Sequence, residues 1–173
     1  MSIQQFTTER LSVRDWQATI DDRSARPRLE KALTVLLTQA VVEHLPPPLQ
    51  LHGQKGGVSA WVDARAEESD VLLVERRHGG DLIGLMLIAR EIDSDDIPTL
   101  HIGYLLAEAA WGQGFASELV TGFVCAAQGR PLRLVGGVDG GNPASARVLE
   151  KAGFVMAPEL STSESDIYVR YIT

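Results

Sequence analysis

The order of apolar and glycine-punctuated segments predicts a mixed α/β domain built on a central sheet. Three observations carry this prediction. Strand-like apolar runs at residues 70–76, 82–90, 99–106 and 132–138 alternate with short turns or with stretches of helical spacing. Two of those strands run directly into a loop and a helix, at residues 101–119 and 138–154. The length of 173 residues, 45% of them hydrophobic, suits one domain spanning residues 1–173 with a real core.

In chain order, residues 9–16 alternate Leu11 and Val13 with Ser12 and Arg14, a half-buried strand. Residues 21–42 read as helical. Leu29, Leu33, Leu36, Leu37, Ala40 and Val41 form one apolar face, and Pro27 marks either a first turn or a break between two short helices. Residues 44–57, with three prolines and three glycines, form a loop. A short helix is expected at 59–66, with Ser59 as its N-cap. The 70–76 and 82–90 strands are joined by His78-Gly-Gly-Asp81, a hairpin connection. Asp93, Asp95 and Asp96 form an acidic turn without the other ligands of a calcium loop. After the 99–106 strand, a helix runs from about Gly114 to Gln128, with Cys125 expected to be packed. A strand at 132–138, a helix at 143–152 capped by Gly153, and closing strands at 154–158 and 167–172 complete the order.

Composition narrows the function. A net charge of −7 without a basic stripe argues against nucleic acid and is compatible with a cationic substrate. No apolar run approaches the roughly 20 residues of a membrane helix. The N-terminus lacks a signal-peptide layout, and a single cysteine excludes an internal disulfide. The cytoplasm is the expected compartment, with neither metal nor membrane partner. Nothing here fixes the oligomeric state, and a homodimer stays open.

The chemistry concentrates in two stretches. In HIGYLLAEAAWGQGFASEL (101–119), a strand passes through a glycine loop into a helix. Backbone N–H groups at such a helix start have no internal partner, and the helix dipole adds positive potential there. In VDGGNPASARVLEKAGF (138–154), Asn142 precedes a helix that carries Ser145. Asn-Pro is also a good helix start, so Asn142 reads equally as an N-cap.

The pair resembles the GNAT superfamily of acyl-CoA-dependent N-acetyltransferases, in particular the branch that includes the acetyltransferases of ribosomal-protein N-termini. The family's acyl-CoA loop, Gln/Arg-x-x-Gly-x-Gly/Ala, is matched by Trp111, Gly114 and Ala116, with Trp111 departing at the first position. Asn142-x-x-Ser145 through Gly153-Phe154 matches closely, and 8–14 looks like the first strand. The resemblance implies a largely antiparallel sheet of about six or seven strands flanked by about four helices, and acetyl-CoA as co-substrate. It implies pyrophosphate binding by the N–H groups of Gly112, Gln113, Gly114, Phe115, Ala116 and Ser117. Leu105 and Leu106 would pair with the pantetheine arm as an added strand, and Asn142 would contact it from the other side.

Transfer to an amine then needs a group for the departing thiolate and one for the amine's proton. Ser145 is the candidate for the first, with Tyr104 and Tyr168 as rivals. His101 stands where the family often has a Glu, and a histidine can accept a proton near neutrality. A strand histidine satisfied by a neighbour is the equal alternative; Glu75, Asp139 and ordered water are weaker ones. His44, His52 and Trp61 are candidate substrate contacts. The acceptor expected is a protein or peptide N-terminus or a small cationic amine. The competing reading is an acyl-CoA-binding regulatory module that lost its base. A mononucleotide-binding domain would need its glycine loop after the first strand.

Overall fold

The computed structural model describes residues 5–51, 56–91, 97–129 and 131–173. The acidic turn with Asp93, Asp95 and Asp96, and the candidate His52, lie outside them. The chain opens with β1 (Gln5–Thr7) and β2 (Leu11–Asp15), followed by α1 (Gln17–Asp21), α2 (Arg26–Leu36), α3 (Gln39–Val42) and α4 (Gly57–Glu68). A meander of β3 (Asp70–Arg76), β4 (Leu82–Glu91) and β5 (Thr99–Leu106) leads into α5 (Phe115–Ala127). Then come β6 (Leu132–Asp139), α6 (Pro143–Lys151), β7 (Val155–Met156) and β8 (Ser165–Ile172). Short 3-10 turns at Pro47–Leu49 and Glu108–Ala110 punctuate the connections.

The eight strands form one sheet in the order β1-β2-β3-β4-β5-β6-β8-β7. Every neighbouring pair is antiparallel except β5 with β6. Strand alternation sorts the core into two layers. Leu72, Met86, Ile102 and Leu134 face α5 and α6, together with Leu119, Phe123 and Leu149. Val71, Leu73, Leu85 and Leu105 face α1 to α4, packed on Leu33, Val42 and Trp61.

Several expectations need correction. The 21–42 stretch breaks into pieces: α2 starts at Arg26 with Pro27 in its first turn, and Thr38 caps the separate α3 by accepting the Val41 N–H. The next helix begins earlier than Ser59, because Gly56 (φ 105°) and Gly57 (φ 64°) adopt the left-handed backbone that reverses the chain into α4. Cys125 is exposed rather than packed. Phe123, Val124 and Ala127 occupy the buried face of α5, and helical geometry turns residue 125 outward. The closing strand expected at 154–158 shrinks to Val155–Met156.

Candidate active site

The site is organised by a break in pairing. β5 and β6 are bonded only through Thr99↔Arg133, Leu100↔Leu134 and His101↔Val135. Both strands continue, β5 to Leu106 on β4 and β6 to Asp139 on β8, so they diverge into a wedge. The Ala107 N–H bonds the Ile83 carbonyl on β4. By antiparallel alternation, the backbone groups of Leu105 also face β4, and those of Ile102, Tyr104 and Leu106 face the wedge. The Leu105 carbonyl does lie against Gly84 of β4. The backbone that faces the wedge is therefore that of Tyr104 and Leu106, and the Leu105 backbone expected there is turned to β4. The Leu106 carbonyl already accepts the Trp111 indole N–H at 2.8 Å, which folds the following loop back onto the strand end.

The loop and α5 form the far end of the wedge. Gly112 (φ 70°) and Gly114 (φ 80°) take the left-handed conformation, and Gly114 is the N-cap of α5. The bond from Glu118 N–H to Gly114 O closes the first helical turn, leaving the N–H groups of Phe115, Ala116 and Ser117 ahead of it. Gln113 is tied down by its side-chain N–H to the Ala109 carbonyl. A clamp from the first hairpin holds this loop. The Arg10 guanidinium donates to Gln113 O at 3.0 Å, pairs with Glu118 at 2.6 Å, and lies 4.2 Å over the Phe115 ring. Thr8 and the Arg10 backbone N–H also donate to Glu118. Burial pushes the Glu118 carboxyl up, but these bonds outweigh it and hold it below its usual range. The clamp was missed in the sequence, because Arg10 and Glu118 are 108 residues apart.

Two predicted rivals meet on the α5–α6 side of the wedge. The Tyr104 and Ser145 hydroxyl oxygens are 2.8 Å apart. Ser145 sits in the first turn of α6, where its N–H donates to the Asn142 side chain at 3.2 Å; the N-cap role of Asn142 is thus realised. Burial raises the Tyr104 pKa against the opposing effect of the Ser145 hydrogen bond, so the phenol keeps its proton at neutral pH. Tyr168 lies elsewhere, 3.4 Å from the Glu150 carboxylate.

On the opposite face, His101 is half-exposed and its Nε2 lies 2.7 Å from Glu91. That hydrogen bond is the main cause of the lowered Glu91 pKa. Glu75 is held by a two-pronged pair with Arg14. Trp61 is fully buried, its indole N–H on the Leu49 carbonyl, so it is a core residue and no substrate contact. His44 instead reaches the start of the α6 turn, 3.6 Å from Asp139.

A sheet that opens beside the amino end of a glycine-capped helix, with a hydroxyl pair in the opening, defines an acyl-CoA-binding acyltransferase fold. The model of the GNAT acetyltransferase domain matches residues 10–155, and the chain belongs to that family, whose chemistry is acetyl-CoA-dependent acetyl transfer. No curated protein matches the sequence. Among solved structures, a GNAT-family acetyltransferase from Bacillus anthracis is similar at 16% identity, over 98% of each chain, with a TM-score of 0.68. An acetyltransferase from Agrobacterium tumefaciens is 22% identical over 98% of this chain and 95% of its own, TM-score 0.66. RimL, a ribosomal-protein α-N-acetyltransferase solved with coenzyme A, is 16% identical over 98% of both chains, TM-score 0.68. Likeness at these identities shows the fold. Among the described residues no helix is long and apolar enough to cross a membrane.

Proposed function

We propose that this chain, as one domain over residues 1–173, transfers an acetyl group from acetyl-CoA to a primary amine in the cytoplasm. The acceptor is a protein or peptide N-terminus or a small cationic amine. The observation that carries the reading is the Tyr104–Ser145 hydroxyl pair at the edge of a wedge whose far end is the α5 amino end.

The wedge fits an extended acyl-pantetheine arm. The wedge-facing backbone of Tyr104 and the Leu106 N–H offer strand-like pairing, and Asn142 lines the other wall. The N–H groups from Gly112 through Gln113, Gly114, Phe115 and Ala116 to Ser117 would hold the pyrophosphate, with Arg10 behind them offsetting an acidic chain. When bound, acetyl-CoA supplies the activated acyl carbon. Tyr104, protonated and bonded to Ser145, would donate to the sulfur as the C–S bond breaks.

The test is thiol release from acetyl-CoA against a panel of N-terminal peptides, amino acids and small amines. Saturable release with one class supports the reading and names the acceptor. Tight CoA binding without turnover on any class favours the regulatory binding module instead.

A further inference from the structure

This inference rests on the acyltransfer reading and concerns where the acceptor's proton goes. His101 occupies the last paired position of β5, before the wedge opens, and Glu91 engages its Nε2. Three strand steps, roughly 10 Å, separate it from Tyr104 at the hydroxyl pair. A second histidine stands at the mouth itself.

The α3 segment bridges that mouth on the face opposite Tyr104. At its start, the Thr38 hydroxyl donates to the Glu108 carboxylate, just past the end of β5. Val41 and Val42 are buried in the same apolar layer as Leu105. Just beyond its end, His44 Nδ1 lies 3.6 Å from the carboxylate of Asp139, the last residue of β6. The segment therefore spans the two strands that diverge, one anchor on each.

Asp139 is itself fixed. Its carboxylate accepts the Gly141 N–H at 2.7 Å, and its carbonyl accepts the Asn142 N–H at 2.8 Å. The same turn delivers Asn142 and Ser145 to the other face of the wedge. Glycine at 141 leaves room for the Asp139 carboxylate, since a Cβ there would sit 2.9 Å from its Oδ1, and the His44 ring packs beside it at ordinary contact distance. The charged groups facing His44 are Glu43 from its own segment, 3.5 Å from Nε2, and Asp139 from the β6–α6 turn. The ring is partly exposed, so it is open to an acceptor and to water.

We propose that His44, oriented by Asp139, is the catalytic residue that takes the proton from the acceptor's ammonium group, in place of His101. One ammonium proton passes to His44 and on to solvent. The freed lone pair forms the N–C bond, and the C–S bond breaks with its electrons going to sulfur. A second N–H proton is released as the amide forms, matching the one the sulfur gains from the Tyr104–Ser145 pair. Acceptor and thiolate are then served from opposite faces of the sheet opening. Asp139 acts as a positioning residue.

The experiment is the pH dependence of kcat for thiol release, with the amine that the parent turns over best, for the parent, His44→Gln, His44→Asn, His101→Gln and Asp139→Asn. The parent's rate should rise with pH along a limb that reports loss of the base's proton. Both His44 variants should lose that limb and fall about 10²-fold near neutrality, with CoA affinity within about twofold of the parent. His101→Gln should keep the limb, and Asp139→Asn should displace it. A folded His44 variant whose profile overlays the parent's, or loss of the limb in His101→Gln alone, overturns the inference while leaving the acyltransfer reading intact. A parent that turns over no amine contradicts that reading and this inference together.

Discussion

The two faces of the sheet opening are built by different means. On the α5 face, consecutive residues make the site and a charged clamp holds it: Arg10 bonds Gln113 and Glu118, and Trp111 bonds the end of β5. On the α3 face, short helices of four or five residues rest on apolar packing, with single side-chain anchors such as Thr38–Glu108 and His44–Asp139. The first face is rigid because ionised hydrogen bonds converge on one carboxylate. The second can be re-tailored at little cost to the first. That division suits a fold whose acyl donor stays fixed while its acceptor changes, since function resides in the site and not in the fold.

The comparison can be broken on either face. The largest effect is expected from Gly114→Glu. The residue sits at φ 80°, and its Cβ would lie 3.5 Å from Arg10 Nη2. A non-glycine there costs roughly 1–2 kcal/mol of backbone strain, which a folded domain survives. A carboxylate in the anion loop should nonetheless weaken CoA binding by more than about 100-fold, roughly the value of one or two lost charge-assisted bonds. Calorimetry on the folded variant measures it; unchanged affinity would remove the loop from the donor site.

Next come Ser145→Ala and Tyr104→Phe. Each should lower kcat about 10²-fold with CoA affinity retained, and the double variant should fall little further, because the two hydroxyls act as a unit. Additive losses would mean that the groups work separately.

A smaller effect is expected from Glu118→Gln, which loosens the clamp and should raise the CoA Kd a few-fold. Its pH signature has a defined sign. The folded pKa of Glu118 lies below the usual 4.5, so its stabilisation is present above that value and is lost as pH falls through the lowered one. Urea melts from pH 7 down to 3 should show less acid sensitivity in Glu118→Gln than in the parent.

The smallest effect is expected on the acceptor side, from Arg65→Met. Arg65 is buried in α4, donates to the Pro48 carbonyl, pairs with Glu68, and has no partner for Nε among the described residues. Losing it should free the Pro47–Leu49 turn and raise the acceptor KM a few-fold with CoA affinity unchanged. A shift in CoA affinity would contradict the separation of the two faces.

The same division explains what could be read from the sequence. β3, β5 and the start of α5 were legible because apolar runs and glycine punctuation are local signals. The anion loop, Asn142 and Ser145 were visible for the same reason. Tyr104 and Ser145 were read as rivals because their contact depends on α6 crossing back over β5, 41 residues later in the chain. His44 and Asp139 cannot be joined from sequence, since they stand 95 positions apart and neither carries a local pattern. Trp61 misled because an aromatic beside a loop reads as exposed until its helix is packed.

The central claim is that the wedge between β5 and β6 delivers an acetyl group to an amine. Thiol release from acetyl-CoA, followed with the amine panel and paired with mass detection of the acetylated acceptor, tests it most directly. The account predicts saturable release with at least one ammonium-bearing class and a 42 Da gain on its nitrogen, about the mass of one acetyl group replacing a proton in the transfer described. Failure to bind CoA, or release with no acetylated amine, would contradict it.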